Sequence, residues 1–147
     1  MSLLKDPQFA RQIIMDHYEN PHNKHHGDSD YAYKHMESES CIDDIIVYVK
    51  IENNRVIDVC FEGHACTIAT SAASIMTDLI KGKEKEDALK IMHEYMKMMQ
   101  LEPYDEGLLD EAIVFRNVGR QSNRIGCATL GWRAVGQILS EDGDHNG

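Results

Sequence analysis

Two β-branched runs flanking an asparagine pair constrain this chain more than any other feature. From Asp44 to Ile51 the apolar residues alternate, so that Ile45, Val47, Val49 and Ile51 fall on one face of an extended strand, the pattern of a half-buried sheet. Asn53-Asn54 tolerates positive φ and Val56 to Phe61 supplies a second run, so the segment predicts a β-hairpin. One other stretch, Tyr31-Ala32-Tyr33, suits a short edge strand; it lies in a polar, histidine-bearing segment from Asn20 to Ser40 that reads mostly as loop.

The rest of the chain is helical in pattern. Asp6-Pro7 offers a cap acceptor and a first-turn proline, Phe9, Ile13, Ile14 and Tyr18 form an apolar stripe, and Asn20-Pro21 stops the helix. Glu62 to Cys66 reads as a turn, followed by a helix from Thr67 to Ile80 that Lys81-Gly82-Lys83 ends. A second runs from Glu84 to Gln100, with Ala88, Ile91, Tyr95 and Met98 on one stripe and Leu89, Met92, Met96 and Met99 beside it. Methionines at this spacing are core filling rather than a soft-metal groove. Leu108 to Val118 predicts a further helix, Gly119 to Gly126 a polar turn and Cys127 to Leu139 a last helix, leaving 141–147 as a flexible tail of one domain spanning 1–147.

Composition narrows the function. With 15 Lys and Arg against 25 Asp and Glu the net charge is −10, which argues against a nucleic-acid partner, since phosphate neutralisation needs clustered cations. No run approaches the ~20 apolar residues of a membrane span and the N-terminus has no signal-peptide pattern, so the expected setting is the cytoplasm, without a membrane partner. In a reducing compartment the four cysteines, Cys41, Cys60, Cys66 and Cys127, are metal ligands, nucleophiles or core residues rather than bridges.

Cys66 and Cys127 each stand at the start of a predicted helix after a glycine-bearing turn, where unpaired N–H groups favour a thiolate. Cys41 and Asp43, two apart before the first long strand, project to one side of an extended segment. Three cysteines and an aspartate suit tetrahedral zinc, but the long intervals lack the paired short spacings of familiar zinc sites, and buried cysteine is often only a small apolar side chain. By spacing alone both readings stay open. Cys60, inside the second strand run, reads as a sheet or core residue. His22, His25 and His26 read as solvated loop side chains, with an adventitious metal site the rarer alternative. His64 is a candidate outer or alternate ligand, and Arg124 a candidate cation steadying the site's negative charge.

Four stretches, taken together, resemble the IscU/NifU-N family of iron–sulfur cluster assembly proteins, and within it the SufU-like branch. They are Ile14-Met15-Asp16-His17-Tyr18-Glu19-Asn20-Pro21, Phe61 to Ala69 around Cys66, Ser71 to Asp78 with Lys81-Gly82-Lys83, and Arg124-Ile125-Gly126-Cys127-Ala128-Thr129-Leu130-Gly131-Trp132. The resemblance implies an α+β fold in which a small antiparallel three-stranded sheet packs against about five helices. It puts the family's metal ligands on Cys41, Asp43, Cys66 and Cys127, and none on Cys60. Two departures stand out: the family's first motif usually has glycine where this chain has Ile42, and Gly126 and Ser122 replace the Lys and Pro that SufU-like members tend to have before the last cysteine; scaffold members have at 126 a histidine that the SufU-like branch also lacks.

What the resemblance implies for function is a Zn²⁺-dependent sulfur acceptor, a sulfurtransferase if catalytic. It would take persulfide sulfur from a cysteine desulfurase through Cys41 and pass it to a downstream scaffold or apo-protein. The alternatives are a scaffold for a [2Fe–2S] cluster and a divergent, non-catalytic zinc-binding module.

Overall fold

The computed structural model describes residues 3–38 and 42–146, and for 142–146 the backbone alone. Helix α1 (Pro7–Glu19) starts where the sequence places it: the Asp6 carboxylate accepts from the Gln8 and Phe9 N–H groups at 2.9 and 3.5 Å, with Pro7 in the first turn. Strands β1 (Ala32–Glu37), β2 (Asp44–Glu52) and β3 (Arg55–His64) form one antiparallel sheet in the order β1-β2-β3. Asn53 and Asn54 both take positive φ, 52° and 63°, the geometry of a two-residue hairpin turn that follows the twist of its strands. The edge strand is longer than Tyr31–Tyr33 suggested. Pairing with β2 recruits the polar run through Glu37, because an edge strand needs only one apolar face and a backbone partner.

Ile45, Val47, Val49, Val59 and Phe61 point into the core, covered by α2 (Thr67–Ile80) against β3 and by α5 (Ser122–Asn146) across β1 and β2. A register shift at Lys50/Ile51 lets Val56 rejoin the buried face while Ile57 turns outward. Helices α2 and α5 cross closely at small residues: a Cβ added at Gly131 would lie 3.2 Å from the Ala73 methyl. Helix α3 (Lys85–Met99) buries Ala88, Ile91, Met92, Tyr95, Met98 and Met99. Tyr95 stacks on Trp132 at 3.8 Å between centroids and donates its hydroxyl to the Ala128 carbonyl at 2.7 Å, tying α3 to the turn of α5 that carries Cys127.

Several predicted boundaries move. Glu62 to His64, expected in a turn, continue β3 because they pair with Ile46, Ile45 and Asp44. Leu108 to Val118 is not one helix: a four-residue turn, α4 (Glu106–Leu109), gives way at Asp110 (φ 44°) to two 3₁₀ segments, Asp110–Phe115 and Val118–Arg120. Ala112, Ile113, Val114 and Phe115 are buried in succession, which a segment surrounded by core satisfies and a one-faced surface helix does not. Helix α5 begins at Ser122, five residues before Cys127, and its backbone continues as helix past Leu139 through 141–146, the stretch expected as a tail.

Candidate metal centre

The sheet delivers two elements of the site to one edge. The rung Glu37–Asp44–His64 closes both strand pairs, so Asp43, one residue before β2, lies across from the Ala65-Cys66 exit of β3. Cys66 is the N-cap of α2, and its sulfur accepts the Ala69 N–H at 3.4 Å. Asp43 is only 2% exposed and divides its oxygens: Oδ1 accepts the Cys66 N–H at 2.7 Å, while Oδ2 lies 3.6 Å from Cys66 Sγ. Cys127, buried on α5, completes a group in which one donor atom each from Asp43, Cys66 and Cys127 lies within 4.8 Å of the others.

The spacing suits a tetrahedral ion. Zn–S and Zn–O bonds of about 2.3 and 2.1 Å imply an S···O edge of about 3.6 Å, the separation found between Cys66 Sγ and Asp43 Oδ2. The donor chemistry suits it equally, since two thiolates and a carboxylate crowded together need a cation to balance them. Without one, burial pushes the Cys66 thiol above the ordinary cysteine range. The Ala69 N–H opposes that shift and the Asp43 carboxylate adds to it. The helix terminus expected to favour a Cys66 thiolate is thus present but outweighed. For Cys127 that expectation fails on position, because the cysteine sits in the second turn of α5 rather than at its start.

Cys41 lies outside the described residues. Beside it Ile42 is 87% exposed, so the side chain standing at the family's glycine points to solvent rather than into the donor group. Among the described residues the group leaves out His64, which is exposed, and Cys60. Arg124 is exposed, and its guanidinium makes no hydrogen bond or ion pair with the described residues. The arginine engaged near Cys127 is Arg133, which donates to the Gly126 carbonyl at 3.2 Å and to Thr129 Oγ1 at 3.1 Å. Six residues beyond Cys127 on the same helix, its engagement is legible in the sequence only from the i, i+4 spacing to Thr129.

Cys60 is fully buried beside Tyr48, on the sheet face turned away from the core helices and under the loop that brings Gly27 onto the Tyr48 ring. Burial, then the carboxylates of Asp58 and Glu62, push its thiol up to about 11, so it stays protonated at neutral pH. Iodoacetamide at neutral pH is therefore expected to leave Cys60 unmodified in the folded protein and to label it after denaturation, read by peptide mass spectrometry. Cys60→Ala should retain bound zinc.

Residues 10–140 match the sequence profile of the NifU-like N-terminal domain. The chain belongs to that family. Within it, the chain is 38% identical over 135 residues to the zinc-dependent sulfurtransferase SufU of Bacillus subtilis (strain 168), covering 90% of this chain and 91% of the relative. It is 33% identical over 141 residues to the iron–sulfur cluster assembly scaffold protein IscU of Streptococcus pyogenes serotype M1, covering 95% and 87%. The crystal structure of a putative SUF-system scaffold protein from Fervidobacterium islandicum AW-1 superposes with a TM-score of 0.77 at 29% identity, over 87% of this chain and 94% of that one. The NifU-like fold accounts for the sheet order and for the helices that cover it. No described helix is long and apolar enough to cross a membrane.

Proposed function

We propose that this NifU-like protein is a zinc-dependent sulfur acceptor in iron–sulfur cluster assembly, with Asp43, Cys66, Cys127 and Cys41 as the metal ligands and Cys41 as the residue that takes the sulfur. The observation that carries the reading is the 3.6 Å approach of Asp43 Oδ2 to Cys66 Sγ with Cys127 alongside. It occurs in a chain 38% identical to a zinc-dependent sulfurtransferase. Cys41 is two residues from Asp43, within about 7 Å of it by chain length, so a fourth ligand, the third thiolate, is within reach of the same ion.

A bound zinc ion supplies the positive charge that lets the thiolates and the carboxylate share one pocket. The protein's own groups do the rest. Cys66 and Cys127 are held by a helix cap and a packed helix, and Asp43 is held by its bond to the Cys66 N–H, so three ligands stay in place while Cys41 engages the partner. The Cys41 thiolate attacks the outer sulfur of a cysteine persulfide on a desulfurase. A new S–S bond forms at Cys41, the old one breaks, and the desulfurase cysteine leaves as a thiolate.

Incubation of Cys41→Ser with a cysteine desulfurase and free cysteine is expected to yield no persulfide on the protein by mass spectrometry, while Cys60→Ala acquires it. Persulfide on Cys41→Ser would overturn the assignment.

The scaffold reading is favoured by the IscU relative. Gly126 bears on it, because a Cβ built there meets nothing within 4 Å. The missing histidine is therefore not a packing requirement, and its absence leaves the site with fewer nitrogen donors than a scaffold member has. Anaerobic reconstitution with iron and sulfide decides the matter: sulfur transfer predicts retained zinc, and scaffolding predicts a stable [2Fe–2S] chromophore in its place.

A further inference from the structure

A second group of donors lies at the opposite end of α2. Cys66 caps the N-terminus of that helix and Asp78 sits in its last turn, twelve residues on, about 18 Å along the axis. There His17, His22 and Asp78 each present one donor atom within 4.8 Å of the others. The imidazole rings of His17 and His22 approach to 4.5 Å between centroids.

The surroundings orient these donors. His17, 5% exposed, has Nε2 at 2.9 Å from Glu111 Oε1 and Nδ1 at 2.6 Å from Ser74 Oγ. An ionised Glu111 carboxylate accepts from Nε2–H, so in the neutral ring Nδ1 carries the lone pair. This is the carboxylate–imidazole arrangement that fixes the tautomer of a metal-binding histidine. Ser74 Oγ also accepts the His22 backbone N–H at 2.8 Å, anchoring the loop that carries the second imidazole. Asn23 Nδ2 donates to Asp78 Oδ1 at 3.4 Å and to Thr77 Oγ1 at 2.9 Å, leaving Asp78 Oδ2 to face His22 Nδ1 at 2.5 Å. The last turn of α2 contains no basic residue, although the carbonyl end of a helix favours positive charge.

We propose that His17, His22 and Asp78 form a second divalent-metal site, with two imidazoles and one carboxylate, distinct from the thiolate centre. Its donor set suits a borderline first-row ion such as Zn²⁺, Co²⁺ or Fe²⁺, with positions left open to solvent. Binding replaces the Ser74 hydroxyl at His17 Nδ1 and widens the His22–Asp78 contact from 2.5 Å to about 3.3 Å, the edge of a tetrahedron with bonds near 2.0 Å. The His22 and Asp78 side chains are 53% and 41% exposed, so each has a solvent-facing side into which to move.

The test is a titration of the zinc-loaded full-length protein with Co²⁺. The expected result is uptake of one further equivalent, with weak ligand-field absorption and without the intense charge-transfer band of thiolate-bound cobalt. His22→Ala and Asp78→Asn, both at exposed positions, should each weaken this uptake by at least about 10-fold with the fold intact by circular dichroism. The thiolate band marks any exchange at the first site, so failure there is distinguishable from failure here. Absence of a further equivalent, or uptake unchanged in both variants, would overturn the proposal and leave His22–Asp78 as a surface ion pair.

Discussion

Asp43→Ala is expected to abolish zinc binding at the proposed centre, from about one equivalent to essentially none by elemental analysis. The carboxylate has two separable jobs. Oδ2 faces the Cys66 sulfur as the proposed metal ligand, and Oδ1 accepts the Cys66 N–H at 2.7 Å at the point where β3 hands over to α2. Alanine removes both, and an unpaired N–H in this half-buried turn costs about 1–3 kcal/mol. Asparagine keeps an oxygen for the N–H and loses the anionic ligand. Asp43→Asn should therefore lose metal affinity yet match or exceed the wild-type melting temperature when both are stripped by chelator, because it removes a buried negative charge from beside two cysteines. Full zinc occupancy in Asp43→Ala would rule out Asp43 as a ligand.

Much of this site was legible before the fold was known. The alternation of Ile45, Val47 and Val49 marks which face of β2 is buried, the asparagine pair marks the turn and Asp44 the start of β2, but the end of β3 near Cys66 does not follow from local rules, because Glu62 to His64 read as a turn and are held in the strand by pairing with Asp44 to Ile46. Cys66 at a strand-to-helix handover was readable because the apolar period changes there. What was not legible depends on contacts distant in sequence. The Asp43–Cys66 bond spans 23 residues, and Glu111, which orients His17 from 94 residues away, sits in a segment that reads as an ordinary amphipathic helix. His17 stands outside the apolar stripe of its helix, and only the packing of α1 on α2 shows that its ring is buried among polar groups. The start of α5 was misread because Ser122, Asn123 and Arg124 are polar, and polarity before a glycine resembles a turn when nothing shows what the first helical turn faces.

Gly63→Ala is expected to damage the fold and the metal centre together. Gly63 has φ of 122°, a conformation that L residues rarely adopt, and a Cβ built on it lies 2.1 Å from the Asp44 carbonyl oxygen and 2.9 Å from Ile45 Cα. Both contacts are backbone, so no rotamer change relieves them. Strain at such a φ costs about 1–3 kcal/mol and overpacking a similar amount, so a loss on the order of 3 kcal/mol is expected in urea denaturation. The register makes the consequence specific: Gly63 pairs with Ile45, and the adjoining rung joins Asp44 to His64. Relief by separating β2 from β3 at this end moves Asp43 away from Cys66. Zinc affinity should then fall even at temperatures where Gly63→Ala remains folded. Ile57→Ala, partly exposed at the distant bulge, should leave zinc affinity unchanged. Equal zinc affinity in Gly63→Ala and wild type would mean that the ligands are held by the helices alone and not by the sheet edge.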